Sequence, residues 1–118
     1  MKQTIKMIYL ASPYTDPDVN IQEQRYEEVT KVAAELTQEF GHAFILPITQ
    51  SHQMVKHIPE LGGSFANWKD IDLLFLSRCD EMWVVNMPGW DTSTGVTAEI
   101  RFAKEQNIPV MLLSRKEQ

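Results

Sequence analysis

The sequence predicts a small α/β domain in which helices cover both faces of a parallel sheet. Four apolar runs alternate along the chain with three segments of helical periodicity, and most of the runs lack polar alternation. Strict alternation of strand and helix is typical of a parallel sheet with right-handed crossovers. We therefore expect a Rossmann-like, flavodoxin-like doubly wound sheet of four to five strands. A chain of 118 residues accommodates one core, so residues 1–118 are interpreted as a single domain.

The predicted strands are rich in Val, Ile, Leu, Met and Phe, as expected for strands that are buried on both faces. These runs are Ile5–Leu10, Ala43–Ile48, Met82–Met87 and Pro109–Leu113.

Three helices are predicted between the strands. The segment Val19–Phe40 places its apolar side chains on one stripe and is followed by Gly41, a typical helix stop. Similar periodicity predicts helices over Ala66–Cys79 and Thr94–Gln106. The segment Gln50–Phe65 contains a proline and a Gly-Gly pair, and we interpret it as a long loop or a short helix with a mobile tip.

Composition excludes several classes of function. A net charge of -5 and a pI near 5.1 argue against nucleic-acid binding and against anionic membranes, since both need a basic face. The single cysteine, Cys79, allows no intramolecular disulfide, and no apolar run is long enough for a signal peptide or a membrane span. The histidine spacing does not match a zinc site, and no glycine-rich dinucleotide or P-loop motif is present. We expect a soluble, cytoplasmic protein that uses neither metal nor cofactor.

Candidate binding residues follow the strands at the carboxyl edge of the predicted sheet, where α/β sheets bind ligands. This set comprises Ser12, Pro13, His52, Asn86, Trp90, Ser93 and Gly95. Ser93 and Gly95 open a predicted helix, where hydroxyls and free amides suit a phosphate, although ordinary capping by Ser93 is the commoner explanation. Trp90 is positioned to stack on a base or, more commonly, to pack against the protein.

Glu99 is the sharpest candidate catalytic residue. It lies on the flank of a helical core stripe formed by Val96, Ile100 and Ala103, where a carboxylate is unusual. The positive end of the helix dipole would help to keep Glu99 ionised, as a nucleophile requires. The alternative is a capping glutamate or one whose carboxylate reaches solvent.

Asp72 is the second misplaced carboxylate. It falls inside the predicted helical stripe that contains Trp68, Phe75 and Cys79. A buried carboxylate must be paired or functional, because its desolvation otherwise costs several kcal/mol on roughly the polar-burial scale. Two such acids on adjacent helices suggest an acid/base or nucleophile pair, whereas a structural acid bonded to backbone amides is the alternative.

Several short motifs occur in a fixed order and spacing along nearly the whole chain. They are Tyr9-Leu10-Ala11-Ser12-Pro13 at the end of strand one, Gly41-His42 before strand two, Asp72 eight residues before Asp80, and Ser93-x-Gly95-x-x-x-Glu99-x-x-x-Ala103 after strand three. Together they resemble the nucleoside 2-deoxyribosyltransferase superfamily, which includes the 2′-deoxynucleoside 5′-monophosphate N-hydrolases and the CMP N-glycosidases.

The resemblance implies a role for each matching residue. Glu99 would attack the anomeric carbon and form a covalent ribosyl-enzyme intermediate. Asp72 would assist protonation or positioning of the leaving base, and Tyr9 would orient the glutamate. Ser93 matches a position that is an aspartate in nucleoside-specific transferases and a phosphate-binding serine in the monophosphate hydrolases.

Three functions remain open. The first is an N-glycosidase acting on a (2′-deoxy)nucleoside or its 5′-monophosphate. The second is a deoxyribosyltransferase that exchanges bases, and the third is a nucleotide sensor without turnover. The resemblance further implies a homodimer or a larger homo-oligomer, since relatives complete their sites with a C-terminal segment from a neighbour. That segment is absent here or reduced to Ser114–Gln118, and the loop SPYTDPD lacks the arginine of the monophosphate hydrolases.

Overall fold

The computed structural model describes residues 4–114 and contains a four-stranded sheet with helices. In chain order the elements are β1 (Met7–Ala11), α1 (Val19–Phe40), β2 (Ala43–Ile45), α2 (Pro47–His57), a 3₁₀ turn (Pro59–Leu61), α3 (Phe65–Ser77), β3 (Glu81–Val85), α4 (Thr94–Glu105) and β4 (Val110–Leu113). All strand pairs are parallel, and the strand order is β2-β1-β3-β4. The predicted fold class is confirmed.

Helices cover the sheet on both faces. The α1 face is the side on which Val29, Val32 and Leu36 pack against Ile8 and other strand residues. The α3–α4 face is the opposite side.

On the α3–α4 face, Leu76 of α3 and Ala103 of α4 pack against Tyr9, Met82 and Val84. Because successive side chains of a strand point to opposite faces, Tyr9 faces α3 and α4 whereas its neighbours in β1 face α1.

The caps of α1 follow from its sequence. The Asp18 carboxylate accepts a hydrogen bond of 2.9 Å from the Asn20 N–H at the start of the helix. Gly41 ends it in the left-handed region, with a φ of 71°, and donates its N–H to the Thr37 carbonyl. The four buried residues of α1 form the predicted stripe.

The second strand is shorter than predicted. Of the two structures expected for Gln50–Phe65, a long loop or a short helix, the helix is confirmed for the first half of the segment. The strand was expected to span Ala43–Ile48 but ends at Ile45, and Pro47 begins α2. Proline has no N–H to donate to a neighbouring strand, and its fixed φ suits the first position of a helix. Within Gln50–Phe65, α2 continues to His57.

The other helix and strand boundaries differ from the predicted ones by one or two residues.

No helix within residues 4–114 is long and apolar enough to cross a membrane. Of the reduced C-terminal segment Ser114–Gln118, residues 115–118 lie outside the described part of the chain.

Candidate active site

A pocket opens at the carboxyl edge of the sheet, beside the central pair β1 and β3. This is the switch point of the strand order, because β1 is followed in the chain by β2 on one side and by β3 on the other. The empty space is about 480 Å³, including its open side. Its lining comes from the end of β1 and the loop after it, from the start of α2, from α3 with the loop before it, and from the first two turns of α4: Tyr9, Leu10, Ala11, Ser12, Tyr14, Thr15, Pro47, Ile48, Ser51, Gly63, Ser64, Phe65, Trp68, Asp72, Gly95 and Glu99.

Glu99 is buried at the base of this pocket. It lies in the second turn of α4 and is only 7% exposed. The Tyr9 hydroxyl donates a hydrogen bond of 2.5 Å to Glu99 Oε2. Burial, with the negative charges of Glu99 and Asp72, raises the pKa of Tyr9 well above its usual range, so the hydroxyl remains a donor.

Burial dominates the protonation of Glu99. It raises the pKa of Glu99 to about 8, the Tyr9 hydrogen bond lowers it in part, and the charge of Asp72 raises it further. None of the ion pairs within the described residues involves Glu99. The expectation that the helix dipole keeps Glu99 ionised is therefore outweighed, because the dipole acts within the first turn and Glu99 lies beyond it.

Asp72 is the second carboxyl group of the pocket. It projects from α3, one turn after Trp68, and burial raises its pKa to about 7. Its charge also raises the pKa values of Glu99 and Tyr9, so the two carboxyl groups interact. Like charges in a poorly hydrated site disfavour double ionisation, and near neutral pH the pair favours a state that holds one proton.

Aromatic side chains form one wall of the pocket. Trp68 is buried, and its indole N–H donates to the Gly62 carbonyl at 2.7 Å. Phe65 packs against Gly95, where a Cβ would lie 3.2 Å from the Phe65 ring. Flat apolar surfaces of this kind suit a heterocyclic base.

Ser12 contributes an unpaired polar group. Its side chain is 6% exposed, and its Oγ has no hydrogen-bond partner among the described residues. A buried hydroxyl without a partner is costly, and this one lines the pocket, where a ligand atom can pair with it.

The structure brings five of the sequence-predicted site residues together around the pocket: Tyr9, Asp72, Glu99, Ser12 and Gly95. Their roles stay predictions. The other five predicted residues do not belong to its lining: Ser93, Pro13, Trp90, His52 and Asn86.

Each of these five has a different environment. The Ser93 hydroxyl caps α4 by accepting the Val96 N–H at 3.2 Å. Trp90 packs against the core of the α3–α4 face, and Asn86 is exposed.

Pro13 and His52 are both buried. Pro13 directly follows the pocket residue Ser12, and His52 contacts Tyr14, so each lies next to the lining without forming part of it.

Several lining residues were missed by sequence analysis. Tyr14, Phe65 and Trp68 all contribute aromatic surface. Tyr14 belongs to the polar segment after strand one, which was a usable signal, but Trp68 was interpreted only as part of a core stripe. Within residues 4–114, no group of three or more His, Cys, Asp or Glu side chains is arranged to hold a metal ion.

Fold and site together define a small parallel α/β protein with two interacting carboxyl groups in a pocket at the switch point. The chain belongs to the family described as "Domain of unknown function (DUF1937)", which matches residues 6–115. A comparison with curated proteins finds no match. Among solved structures, the chain is similar to a 2-deoxyribosyltransferase from the psychrotolerant bacterium Bacillus psychrosaccharolyticus, characterised as a biocatalyst for the synthesis of antiviral and antitumoral nucleosides. The TM-score is 0.61 and the identity 27%, over 95% of this chain and 74% of that one.

Proposed function

We propose that this protein cleaves the N-glycosidic bond of a (2′-deoxy)nucleoside or its 5′-monophosphate, with Glu99 as the nucleophile. The observation that carries the proposal is the buried Tyr9–Glu99 hydrogen bond in a pocket that also contains Asp72. Similarity to a 2-deoxyribosyltransferase supports a nucleoside-processing enzyme. The covalent intermediate and the roles of individual residues are our inference.

The first step would transfer the sugar to the protein. Tyr9 donates to Oε2 of Glu99, so Oε1 is left to attack the anomeric carbon. As the new C–O bond forms, the C–N bond breaks and its electron pair leaves with the base. Asp72 in its acid form gives the base a proton, because a neutral base is a better leaving group.

The second step would release the sugar. Water attacks the same carbon, the Glu99 carboxylate leaves with its electron pair, and ionised Asp72 takes the proton from the water. The first step starts from a pair that holds one proton, on Asp72. The second step starts from esterified Glu99 and ionised Asp72, and it returns a proton to Asp72. The raised pKa values of Asp72 and Glu99 place the singly protonated pair near neutral pH, and because the pKa of Glu99 is the higher one, the proposal requires that substrate binding moves the proton from Glu99 to Asp72.

A second candidate is base exchange. The similar solved structure is a 2-deoxyribosyltransferase, and in such a reaction a second base replaces water at the anomeric carbon. A sensor without turnover is less well supported, because a binding module gains nothing from burying Glu99 at a cost in stability. A homodimer or larger homo-oligomer stays a prediction from the resemblance.

Free-base release separates these functions. The protein is incubated with a panel of deoxynucleosides, ribonucleosides and their 5′-monophosphates, with and without an acceptor base, and the products are separated by chromatography. Free base indicates hydrolysis, and a new nucleoside indicates transfer. Binding without either product indicates a sensor and contradicts the proposal.

Glu99→Gln is the matched control for the panel, since it keeps the shape of the side chain and removes the nucleophile. Intact-mass measurement during turnover should detect a sugar adduct on the wild-type protein and none on Glu99→Gln. Base release by the variant at the wild-type rate would mean that the activity has another origin.

A further inference from the structure

A second polar cluster lies directly behind the pocket wall. The Tyr14 hydroxyl is 2.6 Å from His52 Nδ1, and His52 Nε2 is 2.9 Å from Glu23 Oε1. The three residues come from the loop after β1, from α2 and from α1. Of the three residues only Tyr14 belongs to the pocket lining. The series of hydrogen bonds therefore runs from the pocket through His52 to the outer surface.

The imidazole is held on several sides. His52 is 8% exposed, and the Tyr26 ring stacks on it with centroids 4.1 Å apart and planes inclined by 19°. Tyr14 meets the same imidazole edge-on at 5.7 Å. Gln53 donates a hydrogen bond to the exposed Tyr26 hydroxyl. The ring contacts of His52 thus come from α1 and from the loop after β1.

The Glu23 carboxylate determines which nitrogen of a neutral His52 carries the proton. Glu23 accepts hydrogen bonds only, so a neutral His52 must carry its proton on Nε2 and donate it to Glu23. His52 Nδ1 is then an acceptor, and the Tyr14 hydroxyl donates its hydrogen bond to it. The Tyr14 oxygen consequently has its lone pairs available and no proton to offer.

We propose that Tyr14 binds a hydrogen-bond donor of the substrate, and that His52 and Glu23 are positioning residues that make its hydroxyl an acceptor. Gly63 lies beside Tyr14 in the pocket and has no side chain to cover its hydroxyl. A Cβ at position 63 would lie 3.9 Å from the Tyr14 oxygen and 3.4 Å from its ring. The proposal rests on the proposed function for the class of ligand. Of the donors that a nucleoside carries, we assign this contact to one of two, the 3′-hydroxyl of the sugar or an exocyclic amino group of the base.

The test pairs variants with substrates. Tyr14→Phe removes the hydroxyl and keeps the ring, and Tyr26→Phe is the matched control, since it removes a hydroxyl that does not line the pocket. Each is compared on the best substrate, on its 3′-deoxy analogue and on an analogue without the amino group. A neutral hydrogen bond predicts that Tyr14→Phe lowers kcat/KM about 2- to 12-fold on the parent substrate, mainly through KM.

The analogue that lacks the relevant donor should show no such loss, and this identifies the donor. Tyr26→Phe should leave the ratio between substrates unchanged. An equal loss from Tyr14→Phe on all three substrates, or no loss on the parent, overturns the proposal.

Two variants of the histidine separate positioning from packing. His52→Asn keeps an acceptor oxygen close to the place of Nδ1 and should retain the discrimination between substrate and analogue. His52→Phe keeps a ring without an acceptor and should lose it, because the Tyr14 hydroxyl is then free to rotate. Loss in both variants would indicate packing alone.

Two readouts need no turnover, so failure of the proposed function can be recognised separately. Equilibrium binding of the same three nucleosides to Glu99→Gln, with and without Tyr14→Phe, should show the same 2- to 12-fold ratio, which is about the range of a neutral hydrogen bond. Nitrogen NMR of the histidines should find neutral His52 protonated on Nε2. A His52 protonated on Nδ1, or nucleoside affinities that do not respond to Tyr14→Phe, would overturn the proposal even in an active enzyme.

Discussion

The two ends of the sheet contain carboxyl groups whose pKa values are shifted in opposite directions. At the amino end, Glu81 accepts a hydrogen bond of 2.6 Å from the Lys6 ammonium and one of 2.9 Å from the Trp83 indole. The Lys6 hydrogen bond and, after it, that of Trp83 lower the pKa of Glu81. At the carboxyl end, Glu99 is buried, accepts a side-chain hydrogen bond from the Tyr9 hydroxyl alone among residues 4–114, and has its pKa raised to about 8.

The difference separates a structural charge from a reactive one. Glu81 sits at the surface with a cation, where its ionised form is stabilised and inert. Glu99 and Asp72 sit in a pocket where ionisation is disfavoured, and such groups gain most from a substrate that develops positive charge. Ser12, unpaired at the same end, fits this pattern.

The largest expected effect is on turnover at the carboxyl end. Glu99→Gln should fold and lose activity at least about 10³-fold, which corresponds to about 4 kcal/mol of barrier, because the nucleophile is gone. Steady-state base release measures this, and circular dichroism checks the fold. Near-wild-type turnover by a folded Glu99→Gln protein would remove the distinction between the two ends.

Asp72→Asn should lower kcat about 10²- to 10⁴-fold, with a greater loss on substrates that have poor leaving bases. In the wild type, activity should fall below about pH 7, where both carboxyl groups are protonated, and above about pH 8, where neither is. Asp72→Asn should lose the alkaline fall and keep the acid one. An unchanged bell-shaped pH profile would show that Asp72 is not the acid.

Stability should show the same contrast. The pKa of Glu99 is raised from 4.5 to about 8 on folding, so the stability linked to its proton is present below pH 4.5 and lost as the pH rises through about 8. Glu99→Gln should therefore be more stable than the wild type at pH 8.5 by about 2–4 kcal/mol, and nearly equal to it at pH 4.5. Urea unfolding at the two pH values measures the difference. A variant that is less stable at pH 8.5 would mean that Glu99 is structural.

The unpaired hydroxyl predicts a preference for phosphate. A hydrogen bond to a charged group contributes about 1.5–3 kcal/mol, so Ser12→Ala should lower kcat/KM for 5′-monophosphates about 10- to 150-fold and for nucleosides less. Equal kcat/KM values for a nucleoside and its monophosphate in the wild type would contradict this expectation.

The smallest effect is expected at the amino end. Glu81→Gln removes the charge that pairs with Lys6, and exposed ion pairs contribute little. Its folded pKa is lowered, so the contribution is present above the unfolded value of 4.5 and lost as the pH falls. We expect a slight decrease in the urea midpoint at pH 7 and unchanged turnover. A loss of activity in Glu81→Gln would show that the two ends are coupled.

Local patterns in the sequence predicted those parts of the molecule that depend on neighbouring residues. The stripe of α1 and its stop at Gly41 follow from helical periodicity and glycine conformation. The misplaced carboxylates were visible for the same reason, since Glu99 flanks an apolar stripe and Asp72 interrupts one.

The remaining features depend on packing between distant segments. Tyr14 and His52 are 38 residues apart in sequence, and no local pattern predicts that they meet. Phe65 and Trp68 became part of the pocket because α3 directs its first turn towards the carboxyl edge. The start of α2 is not predicted by hydropathy, because the apolar run Ala43–Ile48 resembles one strand although it contains Pro47.

The contact between Gly95 and Phe65 has a consequence for engineering this pocket. Gly95 lies in the first turn of the helix that carries Glu99, and Phe65 begins the helix that carries Asp72. A single added methyl group at position 95 would lie 3.2–3.3 Å from the Phe65 ring, so the ring or a helix would have to shift by a few tenths of an ångström. The absence of a side chain at position 95 therefore permits the close approach of the two helices that carry the acids. Designers who wish to admit a larger base can vary residues 65 and 95 as a pair while leaving every polar group of the site in place.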